Sequence, residues 1–518
     1  MSNKLEPGGF VRGGLSRRKF LTQASATAAG FCIVPRRALG GAGYVSPSDK
    51  INIAFIGVGA QGLRVMLRFL REPDVQGVAV CDVNKSGDNY PQWDTHEFCK
   101  SVRELLGVDS GWDWLSPDKP IQLTHSLRVT GGVAGREPCQ KIVNAYYGGQ
   151  NRSGSYQGCA AYADFRELLE KQKDLDAVVV CTTDNLHAAV SAAAMKKHKH
   201  VFCQKPLTHT IYEARRIAEI ARETGVATQI AVANQASEDT RVLCEWIWDG
   251  AIGPVREVHN WSSRPFWPLG IPRPAAAEPV PDGLDWDMWL GPAPERPYHS
   301  TYLPFSWRAW YDFGCGSFGD MGCYSFAGMF KTLGLTSPLW AEATSTENFE
   351  ESYPKASLVH MQFPASGSRG PVRLSWYDGG LMPARPEGIL AEDEKLFRKN
   401  GEGVMYVGDK GFLLGGFNGD HPRVYPRTSA YEAPAADPHQ FDEMHDAGVL
   451  QWVAACKGGP APLASFETQA PVTEALLMGC LTQRLPWQRF AWDAAGRRIT
   501  NSEAANRFVD PPYRGAYS

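Results

Sequence analysis

The chain of 518 residues is poor in several things that would point to particular roles. It has almost no net charge: 53 lysines and arginines stand against 56 aspartates and glutamates, a balance of −3. That leaves no basic footprint for a nucleic-acid backbone or an anionic membrane surface. Its twelve cysteines contain no C-x-x-C pair, which removes the usual pattern of a structural zinc site. Cys81, Cys181 and Cys203 sit on or beside apolar runs, where cysteine acts as a small buried hydrophobe. Cys99, Cys139 and Cys159 lie in one loop-rich region, where a disulfide is open but unsupported by the sequence. No internal repeat is visible. There is no apolar run long enough for a stable membrane span, since the alanine-rich Leu21–Val34 is too short.

That short run has another reading. Ser16-Arg17-Arg18-Lys19-Phe20-Leu21 fits a twin-arginine export signal, with cleavage near Ala38-Leu39-Gly40. Residues 1–40 are therefore read as a signal and the mature chain as periplasmic. Cys32 follows Ala29-Gly30-Phe31, a poor lipobox.

The most informative stretch is Ile51–Asp82. A buried-strand pattern, Ile51–Ile56, runs into Gly57-Val58-Gly59-Ala60-Gln61-Gly62, which fits G-x-G-x-x-G. Leu63, Met66, Leu67 and Leu70 then mark one helix face, and a second strand, Val78–Cys81, ends in Asp82, 20 residues past the last glycine. Gly57 makes the tight turn, Gly59 admits a pyrophosphate, and Gly62 allows helix and strand to pack closely. The helix N-terminus offers unpaired N–H groups to the phosphates. Asp82 is placed to accept from the adenosine ribose hydroxyls, which favours NAD; Lys85 just beyond could offset a 2′-phosphate and keeps NADP open.

Between Asp82 and about Tyr162 the regular pattern lapses. Residues 85–161 are read as an insertion near the site mouth, from which Tyr146, Tyr147 and Arg152 can reach a ligand. Strands return at Ala177–Cys181, His200–Gln204 and Ala227–Val232, alternating with helices, and complete a doubly wound parallel Rossmann sheet over 48–234. Thr182, Thr183, Asn185 and His187 fall at a strand's carboxyl end, where such sheets bind ligands. From 235 to 518, strands grouped after this half predict an α+β domain with a large open sheet, covered by helices near Phe441–Cys456 and Thr468–Gln483.

Two segments carry the chemistry: Gln204-Lys205-Pro206, and Gly319-Asp320-Met321-Gly322-Cys323-Tyr324. On a helix Asp320 and Tyr324 share a face. Lysine, carboxylate and phenol together form a proton-transfer set for alcohol–carbonyl chemistry, in which a cationic nicotinamide would lower the lysine's pKa. Arg264, Trp267, Arg308 and Trp310 offer guanidinium donors and aromatic faces for a substrate. His439, Asp442, Glu443 and His445 are ligand-type residues, but on a helix they spread around the circumference, so no metal is expected.

These segments, with Thr183-Asp184-Asn185-Leu186-His187, Lys205-Pro206-Leu207, Gly253-Pro254-Val255, Arg264-Pro265-Phe266-Trp267, Leu284–Pro292, Trp307-Arg308 and Gly319–Gly322, carry a family likeness. The chain resembles the glucose–fructose oxidoreductase / inositol dehydrogenase / rhizopine-catabolism (Gfo/Idh/MocA) family over nearly everything after residue 48. The resemblance implies a Rossmann domain, an open-sheet α/β domain that often forms homo-oligomer contacts, a nicotinamide cofactor, and sugar or polyol substrates. It assigns catalysis to Lys205, Asp320 and Tyr324. Two departures stand out: Gln204 replaces the family's usual glutamate, and Tyr324 stands where many relatives have histidine. The expected activity is an NAD(P)-dependent oxidoreductase acting on a hydroxyl or carbonyl of a sugar, polyol or glycoside. Two alternatives are glycoside cleavage through a keto-sugar with recycled bound NAD, and a non-catalytic nucleotide- or sugar-binding protein.

Overall fold

The computed structural model describes residues 49–123, 127–149, 156–232, 237–264, 267–428, 430–432 and 440–517. The export pattern, Arg152 and His439 lie outside them, as do the side chains of Asp442 and Glu443.

Strand β1 (Ile51–Ile56) is buried apart from Asn52, as an interior strand of apolar residues should be. Gly57, at φ +83°, turns the chain into helix α1 (Ala60–Leu70). Leu63, Met66, Leu67 and Leu70 form its buried face. Strand β2 (Val75–Cys81) returns fully buried and parallel to β1.

The next stretch departs from expectation. It folds as β3 (Gly87–Gln92), α2 (Glu97–Leu106), β4 (Lys119–Gln122), β5 (Arg128–Ala134) and α3 (Arg136–Gly149). The three strands form a separate antiparallel sheet in the order β3-β5-β4. Glycine, proline and polar residues occupy these strands, so no alternation of apolar residues announces them. Helix α3 is the crossover that carries the chain from β2 to β6 (Ala160–Tyr162), which pairs parallel with β2. Tyr146 and Tyr147 therefore face the sheet and not a ligand. Both are buried, and the Tyr147 hydroxyl accepts from Gly77 N at 2.9 Å.

Helix α4 (Phe165–Lys171), β7 (Ala177–Val180), α5 (Asp184–Lys196), β8 (His200–Cys203), α6 (Ile211–Thr224) and β9 (Thr228–Ile230) then follow in the expected alternation. Helix α6 begins with a reciprocal capping box between Thr210 and Glu213 and stops at Gly225. The six parallel strands lie in the order β6-β2-β1-β7-β8-β9. The order reverses between β1 and β7, and a crevice opens there at the strands' carboxyl ends.

The second half contains α7 (Glu238–Trp248), β10 (Val255–Trp261), α8 (Trp286–Leu290), α9 (Gly316–Leu333), β11 (Trp340–Ser345), β12 (Ser357–Phe363), β13 (Val372–Tyr377), β14 (Gly403–Gly408), β15 (Phe412–Gly415) and β16 (Arg423–Tyr425). It ends with α10 (Gln440–Cys456), α11 (Phe466–Arg484), β17 (Arg489–Asp493), β18 (Arg498–Ile499) and a short helix α12 (Glu503–Asn506). Nine strands form one sheet in the order β16-β15-β14-β10-β13-β12-β11-β17-β18. Only β10 and β13 run parallel; the other pairs are antiparallel.

Helix α11 packs against α9 and this sheet: a side chain at Gly479 would strike Phe318 and Met361. Its Glu474 is buried, pairs with Arg215 of α6, and accepts from Ser337 Oγ at 2.6 Å and Trp492 Nε1 at 3.0 Å, tying the two halves together. Helix α10 does not cover the nine-stranded sheet as expected. Its Trp452 is buried among Phe69 and Phe202, with ring centroids 5.6 and 5.7 Å away, and donates to Ala227 O at 3.3 Å. The C-terminal part of the chain thus props the nucleotide-type sheet. Trp452→Ala should cost about 3–5 kcal/mol, read as a lower urea midpoint; an unchanged midpoint would show that α10 is not such a prop.

Candidate active site

A cavity of about 960 Å³ runs from the glycine loop to the nine-stranded sheet. At one end Gly57, Gly59, Ala60, Gln61, Gly62 and Asp82 line it. The glycines are sterically required. A Cβ at Gly62 would lie 1.9 Å from Gly57 O, and one at Gly57 would lie 2.6 Å from the backbone of Cys181. Gly59 faces the Tyr90 ring, 2.8 Å from where its Cβ would be, so the inserted sheet also packs on this loop. Asp82 accepts from Val58 N at 2.7 Å and Asn84 N at 2.8 Å, which braces the loop, and burial pushes its carboxyl up to about 6. The first turn of α1 has no side-chain cap, leaving its N–H groups to the cavity. This cradle fits a dinucleotide.

Thr182, Thr183 and Gln204 also line the cavity, at the ends of β7 and β8. Asn185 and His187 do not. Both lie in the first turn of α5, turned away from the opening. Asn185 takes a hydrogen bond from Thr183 and donates to Leu290 O at 3.0 Å. His187 is buried between Pro206 O, 2.7 Å from Nδ1, and Thr182 O, 3.2 Å from Nε2, and burial pushes its pKa down to about 4. A neutral ring carries one N–H and both neighbours are carbonyl oxygens, so it donates to one of them, and the shorter distance assigns that bond to Pro206 O in the lysine turn.

Lys205, Asp320 and Tyr324 converge in the cavity wall. Asp320 and Tyr324 lie one turn apart on α9. Lys205 Nζ donates to Asp320 Oδ1 at 2.7 Å and to Asp320 O at 2.9 Å, and sits 4.9 Å from the Tyr324 ring centroid. Arg308 Nε donates to the same carboxylate oxygen at 3.3 Å. Burial opposes charge on Lys205, but the Asp320 charge and the Tyr324 phenol outweigh it and hold the ammonium above the ordinary lysine range. Burial likewise opposes charge on Asp320, and Lys205 and Arg308 outweigh it, keeping the carboxyl below its usual range. The lysine is thus held charged by its protein partners; the lowering expected of a cationic nicotinamide concerns the cofactor-loaded site.

Arg264, Trp267 and Arg308 line the cavity; Trp310 does not. Trp310 is fully buried against Tyr302 and donates to Thr301 O at 3.4 Å, so it supports the loop that presents Arg308. Arg308 is sandwiched over Trp307, 4.2 Å to its centroid, and Phe305, 4.8 Å away. Arg264 pairs with Glu402 at 3.4 Å.

The structure adds cavity residues that sequence reasoning missed. Arg64 of α1 binds Glu97 and Pro91 O, and so brings Pro91 and Trp93 of the inserted segment to the wall. Glu402 and Asn418 enter from loops beside β14 and β15. Asp184 is the most consequential. It is 1% exposed; Oδ2 accepts from Cys315 N at 3.1 Å, and Oδ1 has no partner. Burial, then the Asp320 charge, push its carboxyl up to about 7 against Arg308 and Lys205. The signal was available, since Asp184 lies inside the segment already singled out, but a helix-start aspartate reads as a cap.

Two family descriptions match the chain: "Oxidoreductase family, NAD-binding Rossmann fold" over residues 131–232, and "Oxidoreductase family, C-terminal alpha/beta domain" over 259–352. The first match begins within the inserted sheet, after the glycine loop. A 1,5-anhydro-D-fructose reductase from Ensifer adhaerens is 33% identical over 133 residues, 25% of this chain and 37% of that protein. A myo-inositol 2-dehydrogenase from Thermotoga maritima is 33% identical over 130 residues, again 25% and 37%. The chain thus spans little more than a third of the length of these relatives. The solved structure of the WlbA dehydrogenase from Bordetella pertussis, in complex with NADH and UDP-GlcNAcA, superposes with a TM-score of 0.50 at 13% identity, covering 86% of this chain and 99% of that one. That likeness is one of fold.

Asp184 yields a pH prediction. Its folded pKa, about 7, lies above the ordinary 3.8, so its burial costs nothing below about pH 4 and increasingly destabilises the fold up to about pH 7. Asp184→Asn escapes that cost. Its melting temperature relative to wild type should rise by several degrees between about pH 5 and about pH 8; a constant difference would place the ionisation elsewhere.

Proposed function

We propose that the chain is a member of the Gfo/Idh/MocA oxidoreductase family, as its two partial family matches support, and that it transfers hydride between a nicotinamide dinucleotide and a hydroxyl or carbonyl carbon of a sugar, polyol or glycoside. The observation that carries this reading is one cavity lined by both the glycine cradle and the Lys205–Asp320 pair. Gly57–Gly62 and Asp82 would hold the dinucleotide, with Thr182, Thr183 and Gln204 along its path. Bound there, the nicotinamide supplies the hydride acceptor or donor.

The chain's own residues handle the proton. Asp320 fixes Lys205 as an ammonium whose third N–H is available to a substrate oxygen. The Tyr324 phenol, its ring centroid 4.9 Å from that ammonium, would donate its proton to the substrate oxygen as hydride reaches a carbonyl carbon, and would take that proton back when the reaction runs in reverse. Asp320 itself is fully engaged with Lys205 and Arg308 and positions both. Arg264, Trp267 and Arg308 orient the substrate. Lys85, the residue that kept NADP open, is 3.5 Å from Glu137 and off the cavity wall, which favours NAD.

Export through the twin-arginine route to the periplasm is supported by the Ser16–Leu21 pattern. A homo-oligomer is supported by half-buried His259, His360 and Tyr377 on the outer face of the nine-stranded sheet. Substrate identity within the sugar class is supported by the arginine and tryptophan wall.

Lys205→Met should retain nucleotide, measured by mass after acid denaturation, and lose turnover by at least about 100-fold. Turnover close to wild type in that variant would refute the assignment.

A further inference from the structure

From Asp320 a row of side chains leads to the inserted segment. Arg308, which donates to the Asp320 carboxylate at 3.3 Å, holds its guanidinium 4.8 Å from the Phe305 ring centroid and 5.9 Å from that of Trp267. Phe305 meets Trp267 edge-on at 5.8 Å and Trp93 edge-on at 5.6 Å. All four residues line the cavity. Arg308, Phe305 and Trp267 come from the long connection between β10 and α9, whereas Trp93 follows β3 of the inserted sheet. The row therefore crosses from one half of the chain to the other. One guanidinium touches both the reacting cluster and the aromatic row, so a ring bound beside Arg308 borders both.

The two ends of the row differ. Trp267 is 4% exposed, and its Nε1 is buried without a hydrogen-bond partner. A buried unpaired donor is costly unless a bound group or water completes it. Trp93 is 48% exposed, so it stands where the cavity meets solvent. Its place is nevertheless fixed. Trp93 N donates to Glu97 Oε2 at 2.8 Å, Arg64 donates to the same oxygen at 2.9 Å, and the Arg64 guanidinium lies 5.8 Å from the indole centroid. Core packing does not account for a large apolar side chain that is held in position yet left half in water. Aromatic rings beside hydrogen-bond donors suit a pyranose or cyclitol, whose C–H groups form an apolar face and whose rim carries hydroxyls.

We infer that Trp93 and Phe305 form an aromatic platform on which the apolar face of the substrate stacks, so that the inserted segment helps determine which substrate binds. That the bound sugar is also the molecule oxidised or reduced rests on the oxidoreductase reading; the platform itself requires only binding. Nicotinamide is the rival occupant, and affinity for NAD separates the two.

The test is calorimetric titration of the NAD-saturated protein with methyl glycosides of glucose, galactose and mannose in both anomers, and with myo-inositol. For the sugar that binds wild type most tightly, Trp93→Ala should lower affinity about tenfold and leave NAD affinity within about twofold. Trp93→Phe, which keeps a ring, should recover most of the loss. Trp93→Leu, which keeps bulk without a π-face, should not, and it takes the place of alanine if the smaller side chain loosens the segment. Wild-type affinity in the alanine variant, phenylalanine no better than leucine, or no binding of any of these sugars to wild type overturns the inference. So does a loss that falls equally on NAD, which assigns the indole to the nicotinamide. Hydride transfer, followed by NADH absorbance with the same sugars, separates the platform from the oxidoreductase reading. Turnover whose KM does not rise in Trp93→Ala refutes the platform alone. Sugar binding that depends on Trp93 without reduction of NAD refutes the oxidoreductase reading and leaves the platform standing.

Discussion

The buried pair between Lys205 and Asp320 is the constraint on which the site depends. It joins the carboxyl end of a parallel strand to a helix of the other half, at 2.7 Å and away from bulk water. Taking two such charges out of solvent costs several kcal/mol each, and their mutual attraction repays this only with good geometry and further hydrogen bonds. Those extra bonds are present, from Lys205 to the Asp320 backbone carbonyl and from Arg308 to the carboxylate. The geometry is held from behind. His187 fixes Pro206, which follows the lysine, and Asp184 fixes Cys315, just before the helix that carries Asp320. His187, expected at the ligand, is in this way employed one layer back, where it sets the position of the turn that carries Lys205.

The same economy shapes the cavity as a whole. Arg215 and Glu474 clamp the two halves at a distance from the chemistry, so the opening between them keeps its width. Arg64 does for the inserted sheet what His187 does for the lysine turn. Its guanidinium binds Glu97 and Pro91 O, and the side chain that follows them into the cavity is Trp93, stacked edge-on with Phe305. The insertion is therefore wall as well as surface. Gly59 shows this most directly, since the space in front of it is partly filled by Tyr90.

Much of this was legible in the sequence because it depends on local spacing. The strand–glycine–helix–strand–acid order of Ile51–Asp82, the i, i+4 relation of Asp320 and Tyr324, and the alternation of strands and helices up to Ile230 all carry their own signal. What was not legible depends on contacts distant in sequence. Nothing around Asn418 or Glu402 distinguishes them from ordinary loop residues. Trp452 looks like part of any amphipathic helix, and only its partners, Phe69 and Phe202, show which sheet it supports. Trp310 and Trp267 have the same residue type and similar surroundings in sequence, yet one is a pillar and the other faces the cavity. The inserted strands failed to announce themselves for a different reason: a small sheet packed on a larger domain does not need alternating apolar residues.

The departure at Gln204 gains a physical meaning from Asp184. With glutamine at 204, the charges gathered at the site are Lys205 and Arg308 against Asp320, with Asp184 able to add a second negative charge. The cluster is neutral when Asp184 is ionised and carries one positive charge when it is protonated. A glutamate at 204 would add a third carboxylate to a water-poor site, and two like charges close together resist joint ionisation. The carboxylate that this chain lacks beside the lysine has a counterpart in Asp184, a cavity residue whose Oδ1 is buried without a partner and whose charge acts on the same cluster. An amide at 204 keeps hydrogen-bonding capacity on the cavity wall without disturbing that balance. The substitution and the buried aspartate are thus best understood together, as one arrangement of charge around a lysine that must remain positive.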